Sequence, residues 1–237
     1  MTALLELRNV QSAYGDSQVL YDISLCVETG QVVTLIGRNG MGKSTTVKGI
    51  TGLHAVCGGE VLLQGERIDH LAPEVIAKRG ISLVPEGRRI FPNLTVQENL
   101  VAFSRPAGHA ANGWAIDRVY GQFPSLARRK FNLGNELSGG EQQMLAMGRA
   151  LLRNGRLLVI DEATEGLAPL IRQEIWQCLE GLKREGLAML VIDKHLKPLL
   201  SLGDMHYVID RGVVAWCGDS NALSQAPDIW ERYVGVN

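Results

Sequence analysis

The segment Gly37-Arg38-Asn39-Gly40-Met41-Gly42-Lys43-Ser44 constrains this chain more than any other, because it satisfies GxxxxGK[ST] between an apolar run and a helical stretch. Val32 to Ile36 reads as a buried strand and Lys43 to about Leu53 as a helix, so the order is strand, glycine-rich turn, helix. In that order the pattern has a physical meaning. Gly37, Gly40 and Gly42 let the backbone wrap closely and aim several N–H groups, that of Asn39 among them, at phosphate oxygens. The helix N-terminus adds positive potential, and Lys43 would neutralise the β- and γ-phosphates. The Ser44 hydroxyl would take one position on Mg²⁺, with Thr45 beside it as a further nucleotide contact. The expected ligands are ATP and Mg²⁺.

The rest of the chain supplies a sheet around that turn. Apolar residues mostly alternate from Leu5 to Val10 and from Leu20 to Val27, which predicts half-buried antiparallel strands at the start. Ile81 to Val84, Leu157 to Ile160 and Ala188 to Ile192 read as buried strands. Helical stretches separate them, such as 169 to 184, whose Pro169 suits a first helical position. Strand signals vanish between roughly residues 86 and 155, where helices are expected around 95 to 103, 114 to 123 and 138 to 153. The stretch from Pro106 to Gly113 reads as a surface loop. The expectation is one α/β domain over residues 1–237: a mainly parallel core sheet, an N-terminal antiparallel β subdomain and an inserted helical subdomain.

Two further segments carry chemistry. Leu157-Leu158-Val159-Ile160-Asp161-Glu162 is an apolar strand ending in two carboxylates. Asp161 would hold Mg²⁺ through its water shell, and Glu162 would polarise the water that attacks the γ-phosphate. Leu137-Ser138-Gly139-Gly140-Glu141-Gln142-Gln143 opens a helix with the capping pattern of a hydroxyl followed three residues later by a carboxylate, as does Thr95 with Glu98. Capping accounts for Ser138 and Glu141 but not for Gly139 and Gly140, which weaken a helix by up to about 1 kcal/mol each relative to alanine. Close approach of bare amides to a phosphate would justify that cost.

GRNGMGKST, LSGGEQQ and LLVIDE, in this order and spacing, resemble the nucleotide-binding domain of ABC transporters over nearly the whole chain. The resemblance implies the P-loop NTPase fold. Val84-Pro85-Glu86-Gly87-Arg88-Arg89-Ile90-Phe91, Glu141 to Ala146 and Gly166-Leu167-Ala168-Pro169 are similar to the LivF-type ATPases of branched-chain amino acid importers. That family pairs two cassettes head to tail, so ATP on the Lys43 loop of one would be completed by Ser138, Gly139 and Gly140 of the other. The resemblance further implies a second ATPase subunit, of a different chain or identical to this one. It also implies two integral membrane permease subunits and an extracytoplasmic substrate-binding protein. The chain would then lie peripherally on the cytoplasmic face of the inner membrane, and branched-chain amino acids would be the default cargo, with other amino acids, amides or urea as alternatives.

Residue by residue, the likeness assigns adenine stacking to Tyr14, for which core packing is the other reading. It places Glu86 where the family usually has a glutamine that senses Mg²⁺ and water, and a carboxylate there accepts but does not donate. Ala163 replaces the usual proline, and Ala168 the aspartate that crosses the dimer interface. Lys194 occupies the place of the switch histidine, with His195 one residue later, so either is a candidate for that role. A lysine orients water less well than an imidazole, which implies slow hydrolysis at this site and reliance on a partner with an intact histidine.

Composition narrows the alternatives. Twenty-four Lys and Arg against 25 Asp and Glu leave a formal charge of −1, so no global field draws the chain to nucleic acid. Cys26, Cys57, Cys178 and Cys217 form no CxxC pair and are expected to be free thiols. No apolar run reaches the roughly 18 residues of a membrane helix. A soluble, non-transport ABC ATPase that works as an assembly factor or clamp is the alternative. Against it stand the single nucleotide-binding unit, the absence of a long coiled coil or zinc spacing, and the near-zero charge.

Overall fold

The computed structural model describes residues 3–105 and 113–229 together with residue 231. The expected loop from Pro106 to Gly113 lies, except for Gly113, outside the described residues. The chain begins with two long antiparallel strands, β1 (Ala3–Tyr14) and β2 (Ser17–Glu28). They outrun the alternating stretches of the sequence because β1 carries several register shifts, one of them between Leu7 and Val10, where Asn9 sits at φ 48°. Each bulge inserts a residue and breaks the period of two.

β3 (Val32–Ile36) follows and is buried throughout. It feeds α1 (Lys43–Ile50), which stops short of Leu53 because Gly52 adopts φ +70°. The Leu53 N–H then returns to the Lys48 carbonyl at 2.8 Å and the Gly52 N–H to that of Gly49 at 3.3 Å, the paired bonds that close a helix on a left-handed residue. Next come β4 (Gly58–Leu63), β5 (Glu66–Arg67), α2 (Pro73–Lys78) and β6 (Ile81–Val84). Among the described residues, the named elements between β6 and the next strand are all helical: α3 (Val96–Val101), α4 (Ile116–Gln122), α5 (Pro124–Arg128), a 3-10 turn at Gly134–Glu136, and α6 (Gly139–Leu151). The chain then re-enters the sheet with β7 (Leu157–Asp161), α7 (Pro169–Arg184), β8 (Ala188–Ile192), α8 (Leu196–Leu202), β9 (Met205–Asp210) and β10 (Val213–Gly218).

The strands form one ten-stranded sheet in the order β5-β4-β1-β2-β10-β9-β3-β8-β7-β6. β9, β3, β8, β7 and β6 run parallel, whereas the β5-β4-β1-β2 end is antiparallel. The parallel strands are covered on both faces, so their side chains divide between two cores. Val32, Leu158, Ile160, Met189 and Val191 join the core shared with α3 to α8, which includes Leu100, Phe123, Met144 and Leu179. Val33, Leu35, Leu157, Val159, Leu190 and Ile192 join the core beneath α1, α2 and the antiparallel strands. This stacking brings the C-terminal ends of β3, β7 and β8, and the loops that leave them, to one edge of the sheet.

Candidate active site

The turn between β3 and α1 is shaped by its glycines. A Cβ on Gly37 would lie 2.3 Å from the Ile209 carbonyl oxygen, and one on Gly42, at φ 108°, 2.7 Å from Leu20 Cδ2. Lys43 folds its ammonium back into the loop, donating to the Gly37 and Arg38 carbonyls at 2.8 and 3.0 Å. Burial holds its pKa below the ordinary lysine value, against the pull of Glu162 and Asp161. Ser44 donates to Asp161 Oδ1 at 3.1 Å across 117 residues of sequence, which joins the first helical turn to the end of β7. Burial raises the Asp161 pKa, and the Ser44 bond opposes the rise.

Glu162 follows at φ 52°, a left-handed conformation that costs a non-glycine residue on the order of 1 kcal/mol or more. Its N–H is fixed by the Ile192 carbonyl at 2.9 Å. Burial first, and then the neighbouring Glu165 carboxyl, push its pKa up to about 7. The carboxylates of Glu86, Glu162 and Glu165 all come within 4.8 Å of one another. A cleft of about 420 Å³ is lined by Val19, Asn39, Gly40, Gly42, Lys43, Ser44, Thr45, Glu86, Glu162 and Glu165. It combines bare amides and an ammonium at one wall with hard oxygen donors at the other.

Comparison with known proteins agrees with this geometry. The family model described as ABC transporter matches residues 20–165. The high-affinity branched-chain amino acid transport ATP-binding protein BraG of Pseudomonas aeruginosa is 38% identical over 98% of this chain and 100% of its own. The probable branched-chain amino acid transport ATP-binding protein LivF of Archaeoglobus fulgidus is 33% identical over 98% and 99%. The chain belongs to the ABC transporter family. A solved ATP-binding subunit of an ABC transporter superposes with a TM-score of 0.83 at 27% identity, covering 95% of this chain and 94% of the other. A nucleotide-free ATP-binding cassette gives a TM-score of 0.82 at 25% identity with both chains fully covered. The chain is accordingly an ATP-binding, ATP-hydrolysing transporter cassette, and among its described residues no helix is long and apolar enough to cross a membrane.

Several sequence-singled residues lie outside the cassette's own cleft. Ser138 caps α6 as its sequence predicts: its hydroxyl accepts from the Glu141 N–H at 3.3 Å and donates to Glu141 Oε2 at 2.8 Å. Gly139 and Gly140 have a second reason to lack side chains, since a Cβ would lie 2.7 Å from Arg88 Nη1 at the first and 2.8 Å from Ile171 Cγ2 at the second. None of the three is among the residues lining the cleft. Tyr14 is not a core residue. It is 45% exposed, with one ring face stacked on His54 at 3.9 Å between centroids.

Lys194 and His195, the two candidates for the switch position, also stand back from the cleft. Lys194 is half exposed and pairs with Glu165. His195 is held by Asp193, Thr164 and Arg172. Glu165 is the residue that sequence reasoning passed over. Its only signal there is a carboxylate three residues after Glu162, which in a loop has no defined direction. The four cysteines are free in the structure, and burial pushes the Cys178 thiol up to about 12.

Proposed function

We propose that this cassette powers an importer of branched-chain or closely related amino acids from the cytoplasmic face of the inner membrane, together with a second ATPase subunit, two permease subunits and an extracytoplasmic binding protein. The observation that carries the ATPase half is the meeting of Lys43, Ser44 and Glu162 in one cleft, with Asp161 bonded to Ser44 behind them. The substrate class and partners rest on the likeness to proteins named for branched-chain amino acid transport.

In this reading the amides from Gly37 to Thr45 receive the phosphates, and Lys43 exchanges its two carbonyl partners for β- and γ-phosphate oxygens. The bond between Ser44 and Asp161, two hard oxygen donors, is a fitting place for Mg²⁺, with Glu86 opposite as a further oxygen donor. When bound, Mg²⁺ would neutralise charge on the phosphates. Glu162, once ionised, accepts a hydrogen bond from the attacking water and orients it. Tyr14 offers its exposed ring to the adenine. Ser138, Gly139 and Gly140 serve the nucleotide on the facing subunit, which agrees with their absence from this chain's own cleft.

A second cavity, of about 400 Å³, runs between α2, β6 and α6 and is lined by Arg88, Arg89, Phe103, Arg149 and Arg153 among others. Its Arg88, Arg89 and Phe103 belong to the surface from Glu86 to Phe103 that we assign to the cytoplasmic elements of the permeases. The reading is tested by recovering tagged protein from gently solubilised native membranes and measuring ATPase activity with candidate amino acids. Co-purification of two membrane proteins and a second ATPase, with stimulation by a branched-chain amino acid, is expected. An entirely soluble complex would contradict it.

A further inference from the structure

We propose that Asp193 is a positioning residue for hydrolysis, holding through Thr164 the turn that presents Glu162 to the cleft. The proposal rests on the reading of Glu162 as the group that orients the attacking water. A glutamate at φ 52° does not keep that conformation unaided, so its neighbours must over-determine it. The Ile192 carbonyl fixes its N–H from the end of β8. The next residue of that loop, Asp193, fixes the turn two positions further on. Its Oδ2 accepts from the Thr164 hydroxyl at 2.6 Å and from the Thr164 N–H at 3.2 Å. Its Oδ1 accepts from the His195 N–H at 2.9 Å and from His195 Nδ1 at 2.8 Å. Asp193 is 5% exposed and Thr164 1%, so these bonds are made away from water, where each is strongest and its loss most costly.

The arrangement also assigns His195. Nε2 faces Arg172 Nη1, and a guanidinium only donates, so Nε2 is the acceptor and the ring proton sits on Nδ1, toward Asp193. Both ring nitrogens are thus spent inside the clasp. The loop after β8 therefore reaches the cleft through the loop after β7: through Asp193 and Thr164 to Glu162, and through Lys194 to Glu165. His195 is an outer brace.

The test uses the full chain in the complex recovered with its facing ATPase subunit, with ATP as the probe, and compares Thr164→Val, Thr164→Ser, Asp193→Asn and His195→Phe with the wild type. Three quantities are read: the equilibrium Kd for ATP, the single-turnover hydrolysis rate with protein in excess, and the melting temperature. Thr164→Val and Asp193→Asn should slow hydrolysis about 10-fold to 100-fold while leaving the ATP Kd within about 2-fold, because they misplace the orienting group without touching the phosphate loop. Thr164→Ser, which keeps the hydroxyl, should restore the rate, and His195→Phe should cost less than Thr164→Val. Should Asp193→Asn fail to fold, Thr164→Val decides, since it keeps the volume and removes only the hydroxyl, with its bonds to Asp193 and His195. The proposal is overturned if Thr164→Val hydrolyses ATP at the wild-type rate, if rate and affinity fall together, or if His195→Phe is the most damaging change. A wild-type chain that does not bind ATP would instead remove the ATPase reading, and this proposal with it.

Discussion

The loop from Gly37 to Thr45 and the turn after β7, which the turn after β8 backs, face the same cleft but are held by different means. The first is a backbone structure. Its glycines leave room for neighbours that a Cβ would meet at 2.3 and 2.7 Å, and even its lysine is anchored on carbonyls five and six residues back. The second is a side-chain structure. Asp193, Thr164, His195, Lys194 and Glu165 hold one another across about 30 residues of sequence, and a strained Glu162 rides on the result. In the proposed function, local geometry would receive the phosphates and long-range contacts would place the group that orients the water.

That contrast has consequences that can be broken one at a time. The largest effect belongs to Gly37: Gly37→Ala places a methyl against the Ile209 carbonyl and should cost more than about 2 kcal/mol in chemical denaturation, with nucleotide binding lost alongside. If it folds with normal stability, the backbone account of the loop is wrong. The next effect is on pH. Because the Glu162 pKa is raised, its ionised form is disfavoured below about pH 7, and hydrolysis should climb as pH rises through that value. Glu165→Gln removes a stated cause of the rise, so the midpoint should move to lower pH in a rate profile. An unmoved midpoint would detach Glu165 from Glu162.

Smaller still is the base contact. Tyr14→Ala should weaken ATP binding by about 0.5–1.5 kcal/mol, measured by titration, with little change in the rate at saturation. The smallest effect is expected for the ion pair between Lys194 and Glu165, both half exposed, where Lys194→Ala should cost at most about 1 kcal/mol of stability. A larger loss in a thermal melt would show that the pair is a structural tie like the Asp193 clasp.

The same contrast explains what was legible in the sequence. The phosphate loop, β3, β6, β8 and α7 follow their expected bounds because each is dictated by neighbours in sequence: apolar runs, glycines, or a proline at a helix start. β1 and β2 extend past the readable alternation because bulges shift the period. β4, with two glycines and a glutamate ahead of only three apolar residues, carries too short a pattern to be assigned as a strand. At the site, Lys43, Ser44, Asp161 and Glu162 could be named in advance. The placement of Lys194 and His195 could not, since it depends on which way two adjacent side chains point, and Glu165, Thr164 and Arg172, far away in sequence, hold them. Gly139 and Gly140 carried a cost whose phosphate explanation was visible in advance, whereas their packing against Arg88 and Ile171 was not.

The most direct test of the division between binding and hydrolysis sets Lys43→Ala beside Glu162→Gln and measures ATP affinity and single-turnover hydrolysis for both. The division predicts that Lys43→Ala loses affinity, and with it at least about 100-fold in hydrolysis at subsaturating ATP. Glu162→Gln should bind ATP as tightly as the wild type and hydrolyse it about 100-fold more slowly or worse. A Glu162→Gln chain that hydrolyses ATP at the wild-type rate, or that loses ATP affinity as Lys43→Ala does, would contradict it.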